Sequence, residues 1–439
     1  MKREGFSTGF GYVLMVFLVV ALGIMIFLNF RANTEQRETL EAEAAAAAVT
    51  PTPEPTATPE PTPTPNRITE TVTLVVAGDI VGQPGLSTEA SYGDGEYDFF
   101  DEIEGITPAL NGADYAACTI VGTVSTTGPY DEGYHMPNAI ATALAGAGFQ
   151  LVNAATDHIL DRGLDGLTET VTTLRNEGLY TAGAYSSQAS HGAYMTDVHG
   201  VKIAFLSYTC GTGGVSVADN SWCVDILTRD YMTDQTAVDY DRVDADIAAV
   251  REAGADIVVC FVYWWENTQL YTVARDNQTA VADRLLADGV DILIGGGVKT
   301  PQPIETRTVD RGDGTTANCV VCYSLSNMLS CYSLQNTNLS AAVRVDISRD
   351  ASTGESWVSC VSYEPLFMLD TGAYEDYENP GFKYRLLDAY DAMDDWQNGS
   401  YVVSDLAYEA IVDGVNSLRG IIGAQYDAIN GGVEMECPF

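Results

Sequence analysis

The chain has 439 residues, 46% of them hydrophobic and 10% aromatic, and 21 Lys and Arg stand against 61 Asp and Glu, a net charge of −40. That apolar content supports a sizeable core and excludes a wholly disordered chain. The charge excludes a nucleic-acid binder, which needs Lys and Arg against phosphate, and an anionic polymer would need a local basic spot within an acidic field.

Between Gly5 and Phe30 no residue is charged, and Tyr12–Phe30 reads YVLMVFLVVALGIMIFLNF. This run is long enough to cross about 30 Å of hydrocarbon as a helix. Lys2 and Arg3 precede it and hold the short N-terminus in the cytoplasm. A cleaved signal peptide is the competing reading, but its apolar stretch is usually shorter, with a small-residue site close behind. Residues 1–8 are therefore expected to be cytoplasmic, 9–30 to form a transmembrane helix, and everything after it to lie outside the cytoplasm. Residues 31–67 are polar, then Ala-rich, then run as VTPTPEPTATPEPTPTP, a composition for an extended spacer rather than a packed core.

From residue 68 strands and helices alternate. TVTLVVAGD is a strand ending in a Gly-Asp turn, and FQLVNAA is a strand followed by the loop TDHILDRG. LDGLTETVTTLRNEG reads as an amphipathic helix ended by Gly178, and VDADIAAVREAG and QTAVADRLLADG read as helices that feed the strands after them. VKIAFLSYT, ADIVVCFVYW and VDILIGGG read as strands, with more at 318–326, 341–347 and 356–363. After about residue 380, FKYRLLDAYDAMDDW and SDLAYEAIVDGVNSLRGIIG read as helical. The expected organisation is an α/β domain over 68–375 and a helical C-terminal extension over 376–439. Residues 71–439 hold 16 basic and 53 acidic residues, so the acidity belongs to this head.

Nine cysteines cannot all pair within one chain. Most lie in apolar runs and read as buried thiols. Cys210 and Cys223, flanking a Gly-rich stretch, are the best-placed pair for a disulfide. CVVC (319–322) is a poor metal knuckle, because a strand points its two cysteines to opposite faces.

Ligands of open α/β sheets sit beyond the C-terminal ends of strands. The loops there are GDIVGQ, TDHILDRG, YWWENT and GGGVKTPQP. Through them, roughly 71–330 resembles the CapA-like family of capsule or poly-γ-glutamate biosynthesis, related to calcineurin-like metallophosphoesterases. VAGDI at Asp79 is similar to the family's Gly-Asp after strand one. NAATDHILDRGLDGLTETVTTLRNEGLYTAGA (153–184) resembles its Asn-Asn-His segment, DGVDILIGGGVKTPQPIE (288–305) its Gly-His-His-Pro-His run, and CYSLSNMLS its closing Ser-Leu-Gly-Asn-Phe strand. The resemblance implies a calcineurin-like metallophosphatase four-layer α/β sandwich and a dinuclear metal site.

The departures from the family pattern fall at that site. The family's Asn-Leu-Glu becomes Thr119–Ile120–Val121, its Asn-Asn-His becomes Thr156–Asp157–His158, and its His-Trp-Gly becomes Tyr263–Trp264–Trp265. The Gly-His-His-Pro-His run becomes Gly295–Gly296–Gly297–Val298–Lys299, and the other histidines, His135, His191 and His199, lie elsewhere. By this resemblance Asp79 and Asp157 are the metal ligands that remain and His158 the catalytic general acid. Asp79 also reads as a turn cap, and His158 as a hydrogen-bonded loop histidine. Tyr263 and Trp264 are expected as a substrate-binding aromatic platform or as core, and Lys299 as a cation facing an anionic ligand. Residues 295–297 read as a bare turn or as a weak phosphate cradle, since no Gly-Lys-Ser/Thr follows.

The expectation is a degenerate, non-catalytic head that handles a capsule-like polymer at the cell membrane. It would need no cofactor unless the residual site takes Mn, Mg or Zn. Its expected partners are the membrane and an anionic cell-surface polymer or its synthesis machinery, with no nucleic acid. The alternative is a surviving metal-dependent hydrolase, phosphoesterase- or amidase-like, using Asp79, Asp157 and His158.

Overall fold

Alternation along one strand sets the layering. In the computed structural model, which describes residues 69–439 except 218, 265–269, 313, 375–382 and 401, the strand Thr69–Val81 sends Val72, Leu74 and Val76 into one core and Val75 and Ala77 into another. A strand covered on both faces needs an apolar residue at nearly every position, as TVTLVVAGD has.

The first sheet has the path Tyr384–Asp388, Ser356–Asp370, Leu339–Asp350, Thr69–Val81, Tyr115–Val121, Leu151–Asn153, Tyr180–Ala182. Its last four strands are parallel and the others antiparallel, with Asn327–Leu329 added alongside Thr69–Val81. The second sheet runs Ile304–Asp310, Thr316–Cys322, Ile292–Gly296, Ile257–Tyr263, Val201–Thr209, Tyr194–Val198, parallel through its centre and antiparallel at both edges.

Three cores separate four layers. The helices Ala139–Ala147 and Gly163–Asn176 bury Leu144, Leu167 and Val171 against the outer face of the first sheet. Val72, Leu74, Phe205, Val259, Phe261 and Ile292 fill the space between the sheets. The helices Tyr240–Glu252 and Asp276–Asp288 bury Ile247 and Leu285 on the outer face of the second. Each such Val, Leu, Ile or Phe contributes about 1.5–3 kcal/mol on burial. This is the expected four-layer sandwich.

The C-terminal expectation needs correction. Within the expected extension over 376–439, the described residues from 383 onward are not all helical and pack within the same compact unit as the head. Tyr384–Asp388, read as helix, is a strand on Ser356–Asp370, and the helix Ala389–Gln397 begins only after Asp388 caps it through Tyr390 N and Asp391 N. The helix Asp405–Leu418 buries Ala407, Ile411 and Val415 in the inter-sheet core, and Val433–Glu434 pairs with Ser356–Asp370. Inside this segment Asp427, fully buried, accepts from Tyr390 Oη and from Arg419 Nε at 2.6 Å.

Cys223 is a buried thiol, so the Cys210–Cys223 bridge is not formed. Cys319 and Cys322 sit in different cores, on opposite faces of their strand. The expected transmembrane helix (9–30) and spacer (31–67) lie outside the described residues. Among the described residues no helix is long and apolar enough to cross a membrane.

Candidate functional site

The C-terminal ends of parallel strands from both sheets meet around a cavity of about 110 Å³. Asp157 and His158 reach it from the loop after Leu151–Asn153, and Tyr263 from the last position of Ile257–Tyr263. Gly297 and Lys299 come from the loop after Ile292–Gly296. Asn327 enters beside Asp79, its partner in the parallel pairing of Asn327–Leu329 with the first strand. Asp79 lies just behind the lining, 3% exposed, where its Oδ2 accepts from Gly297 N–H at 2.7 Å.

Burial dominates the electrostatics of Asp79. Loss of hydration pushes its carboxyl up to about 7, the Gly297 N–H and the Thr119 hydroxyl pull it down, and the Asp157 charge adds to the rise. For His158, burial disfavours protonation. The Asp161 hydrogen bond, with Nδ1 to Oδ2 at 2.9 Å, and the Asp157 charge outweigh it, so the imidazole lies above its usual value. The Tyr134 ring stacks on His158 with centroids 3.8 Å apart. Burial holds the Tyr263 phenol well above its usual range, and its hydroxyl is hydrogen-bonded to Asp157.

Lys299 places its ammonium 4.4 Å from the centroid of the Tyr332 ring. Its backbone is fixed by Ser326, whose Oγ donates to Lys299 O at 3.1 Å. Ser326 stands at φ +66°, a left-handed conformation that costs a residue with a Cβ about 1–2 kcal/mol. The hydrogen bond that secures Lys299 offsets part of that strain.

Five of the six expected site residues, Asp79, Asp157, His158, Tyr263 and Lys299, come together. Trp264 does not. Alternation turns Tyr263 towards the cavity and Trp264 to the outer face of the second sheet. There Trp264 is 1% exposed and its indole N–H donates to Tyr323 O at 2.8 Å. Trp264 is core, not half of a platform, and Trp265 lies outside the described residues.

The three glycines are neither a bare turn nor a phosphate cradle. A Cβ on Gly295 would lie 2.0 Å from Tyr323 O, and one on Gly296 2.8 Å from Asp79 Oδ1. Gly297 has φ +85° and spends its N–H on Asp79. Sequence reasoning missed Tyr134, Tyr332 and Asn327 as site residues. Asn327 was visible inside SLSNM, and in the fold it is 3% exposed with no partner for Nδ2.

The donor set does not fit a dinuclear centre. Two cations about 3.5–4 Å apart need several carboxylates and imidazoles between them. Here Val81, Val121 and Tyr263 form an apolar cluster with Tyr134 and Tyr332. Val121 stands where the resemblance places a carboxylate, and an ammonium faces the same space. Among the described residues no group of three or more His, Cys, Asp or Glu is placed to hold one ion.

Residues 73–332 match the profile of the family described as bacterial capsule synthesis protein PGA_cap. A probable polyglutamine synthesis accessory protein of Mycobacterium tuberculosis is 31% identical over 159 residues, 34% of this chain and 40% of that protein. The PGA biosynthesis protein CapA of Bacillus subtilis is 25% identical over 255 residues, 56% of this chain and 61% of that protein. The capsule biosynthesis protein CapA of Bacillus anthracis is 23% identical over 299 residues, 66% of each chain. The matches thus span less than two thirds of these relatives' own lengths. Among solved structures, a Mycoplasma pneumoniae phosphatase has TM-score 0.39 and the calcineurin-like phosphoesterase YfkN of Bacillus subtilis 0.40, both at 11% identity. They cover 68% of this chain and, respectively, 94% and 91% of their own.

Proposed function

Since the chain belongs to the bacterial capsule synthesis PGA_cap family, we propose that it is a membrane-anchored, extracytoplasmic component of capsule or cell-surface polymer synthesis or anchoring. Its cleft binds an anionic group of a poly-γ-glutamate-like polymer and does not hydrolyse it. The observation that carries this reading is Lys299. Its ammonium lines the cleft at a position where the family resemblance expects a metal-binding histidine. Beside it stands the His158 imidazole, raised towards its charged form. Together they supply positive charge and N–H groups to an acid group, as a cation would, but without a water-activating centre.

The membrane anchor rests on the uncharged run Gly5–Phe30 and the basic pair before it. Proteolysis of intact spheroplasts is expected to remove the head and leave the first thirty or so residues protected. Protection of the head would reverse the topology.

Binding of γ-glutamyl oligomers to the full-length chain in detergent tests the cleft. Lys299→Met is expected to weaken affinity roughly tenfold or more, the scale of one lost charge-assisted hydrogen bond. Affinity is expected to fall as pH rises through the elevated His158 value, because only the protonated imidazole attracts the anion. Unchanged affinity in Lys299→Met would sink the reading.

The hydrolase alternative draws on the Asp161–His158 hydrogen bond, which orients an imidazole suited to donating a proton. Calorimetric titration of Mn²⁺, Mg²⁺ and Zn²⁺ separates the two. Wild-type chain is expected to give the same heats as Asp79→Ala and Asp157→Ala. Tight binding lost in both variants would transfer the site to that alternative.

A further inference from the structure

A second cavity, of about 700 Å³, opens between the hairpin that follows residue 90 and the segment 126–131. This is within the ~300–1,000 Å³ range of small-molecule sites. Two tyrosines build its apolar corner, with the rings of Tyr97 and Tyr130 5.3 Å apart and 81° to each other. Around them stand hydroxyl and amide side chains, chiefly Ser87, Ser91, Thr126 and Asn138.

The wall carrying Tyr130 is braced from behind. The Tyr130 ring stacks on His135 at 5.0 Å and its hydroxyl donates to Ser125 O at 3.1 Å. His135, 2% exposed, is held by Thr123 Oγ1 at 2.9 Å and Ser125 Oγ at 3.0 Å. Burial keeps this imidazole below its usual value, so it braces as a neutral ring. Arg162 Nη2 donates to Pro129 O at 2.9 Å, and Thr126 N–H to Glu169 Oε1 at 3.0 Å. The corner is therefore shaped before any ligand arrives, which lowers the ordering cost of binding.

The lining also selects chemistry. Among the described residues no Lys, Arg or His lines the cavity, and Asp131 is the one charged lining residue. Within a head this acidic, an anionic ligand is repelled, and one carboxylate does not hold a metal ion. Ser87 is 2% exposed and its Oγ has no partner in the protein. That oxygen is itself closed to solvent, so Ser87 backs the cavity wall and offers no ligand contact.

We infer that this cavity is a binding site for an uncharged saccharide. The apolar C–H face of the sugar ring packs in the Tyr97–Tyr130 corner. Its hydroxyls exchange hydrogen bonds with Asn138 and Asp131. This site goes beyond the Lys299 cleft, whose chemistry is anionic. The segment that provides Tyr130 continues to Tyr134, which stacks on His158 in that cleft.

Saturation-transfer NMR on the full-length chain, in a detergent without a sugar head group, tests this. The probes are neutral trisaccharides of glucose, galactose and N-acetylglucosamine, with glucuronic acid as the anionic comparison. Transfer is expected to the ring C–H protons of at least one neutral sugar and not to glucuronic acid. Tyr97→Ala and Asn138→Ala are each expected to weaken binding about tenfold, as hot-spot truncations do. Both leave the bracing around His135 in place, and unchanged melting confirms that they fold. No transfer from any neutral sugar at roughly 10 mM, far above useful affinity, would overturn the inference. So would transfer that persists undiminished in both variants. Transfer to a neutral peptide but to none of the sugars would overturn it in favour of a protein partner.

Discussion

Gly295→Ala is expected to unfold the head at temperatures where the wild-type chain is fully native. The added methyl would stand 2.0 Å from Tyr323 O and 2.2 Å from Trp264 Nε1. Neither neighbour can yield. Gly295 pairs with Val262, within a strand flanked by Ile257–Tyr263 and Thr316–Cys322. Trp264 is packed in the outer core and tied by its N–H to that same Tyr323 carbonyl. Overpacking of this kind costs about 1–3 kcal/mol, occasionally more, and loss of the buried indole bond adds about 1 kcal/mol. An effect of about 3 kcal/mol or more is expected by chemical denaturation. Gly146→Ala is the control. It lies in the helix Ala139–Ala147, where an added methyl would meet no atom within 4 Å, and there the change stabilises by up to about 1 kcal/mol. A Gly295→Ala chain that matched wild type would show that the glycine run is a free turn after all.

Much of the sandwich can be read from periodicity. The strand runs and the amphipathic helices Gly163–Asn176, Tyr240–Glu252 and Asp276–Asp288 fall where their patterns put them. The rule that ligands sit beyond strand ends also found the loops that bring Asp79, Asp157, His158, Tyr263 and Lys299 together. Trp264 escaped because both faces of its strand are apolar, so the sequence did not mark which face met the cleft. Tyr384–Asp388 escaped because its apolar residues continue the helical spacing of Ala389–Gln397, and only its pairing with Ser356–Asp370 makes it a strand. Tyr134 and Tyr332 lie in irregular segments without a period to read. They enter the site through tertiary contacts, a ring stacked on His158 and a ring beneath Lys299.

Glu102→Gln is expected to stabilise the head markedly at pH 8 and hardly at all at pH 4. Glu102 sits in the short helix Phe100–Ile103, fully buried, and neither carboxyl oxygen has a hydrogen-bond partner. Burial, reinforced by the charges of Glu89, Asp98 and Asp101, pushes its carboxyl from 4.5 up to about 9. A folded-state value raised above the unfolded one means that the native state binds the proton more tightly. The associated stability is complete below about pH 4.5 and is lost as pH rises towards 9, by about 1.4 kcal/mol per pH unit. Asp79, raised to about 7, adds a loss of the same sign between about pH 4 and 7. By pH 8, about 3.5 pH units above the unfolded value, the Glu102 loss alone is on the order of 5 kcal/mol. The amide removes this titration without changing shape. The wild-type minus Glu102→Gln difference should therefore grow steadily from pH 5 to 8, and it cancels the general charge repulsion of so acidic a chain. Glu102→Met should gain more at every pH, since it also removes two unbonded oxygens from the interior. A pH-independent difference between wild type and Glu102→Gln would mean that the carboxylate finds solvent or a cation in solution, and that this end of the head opens more readily than its packing implies.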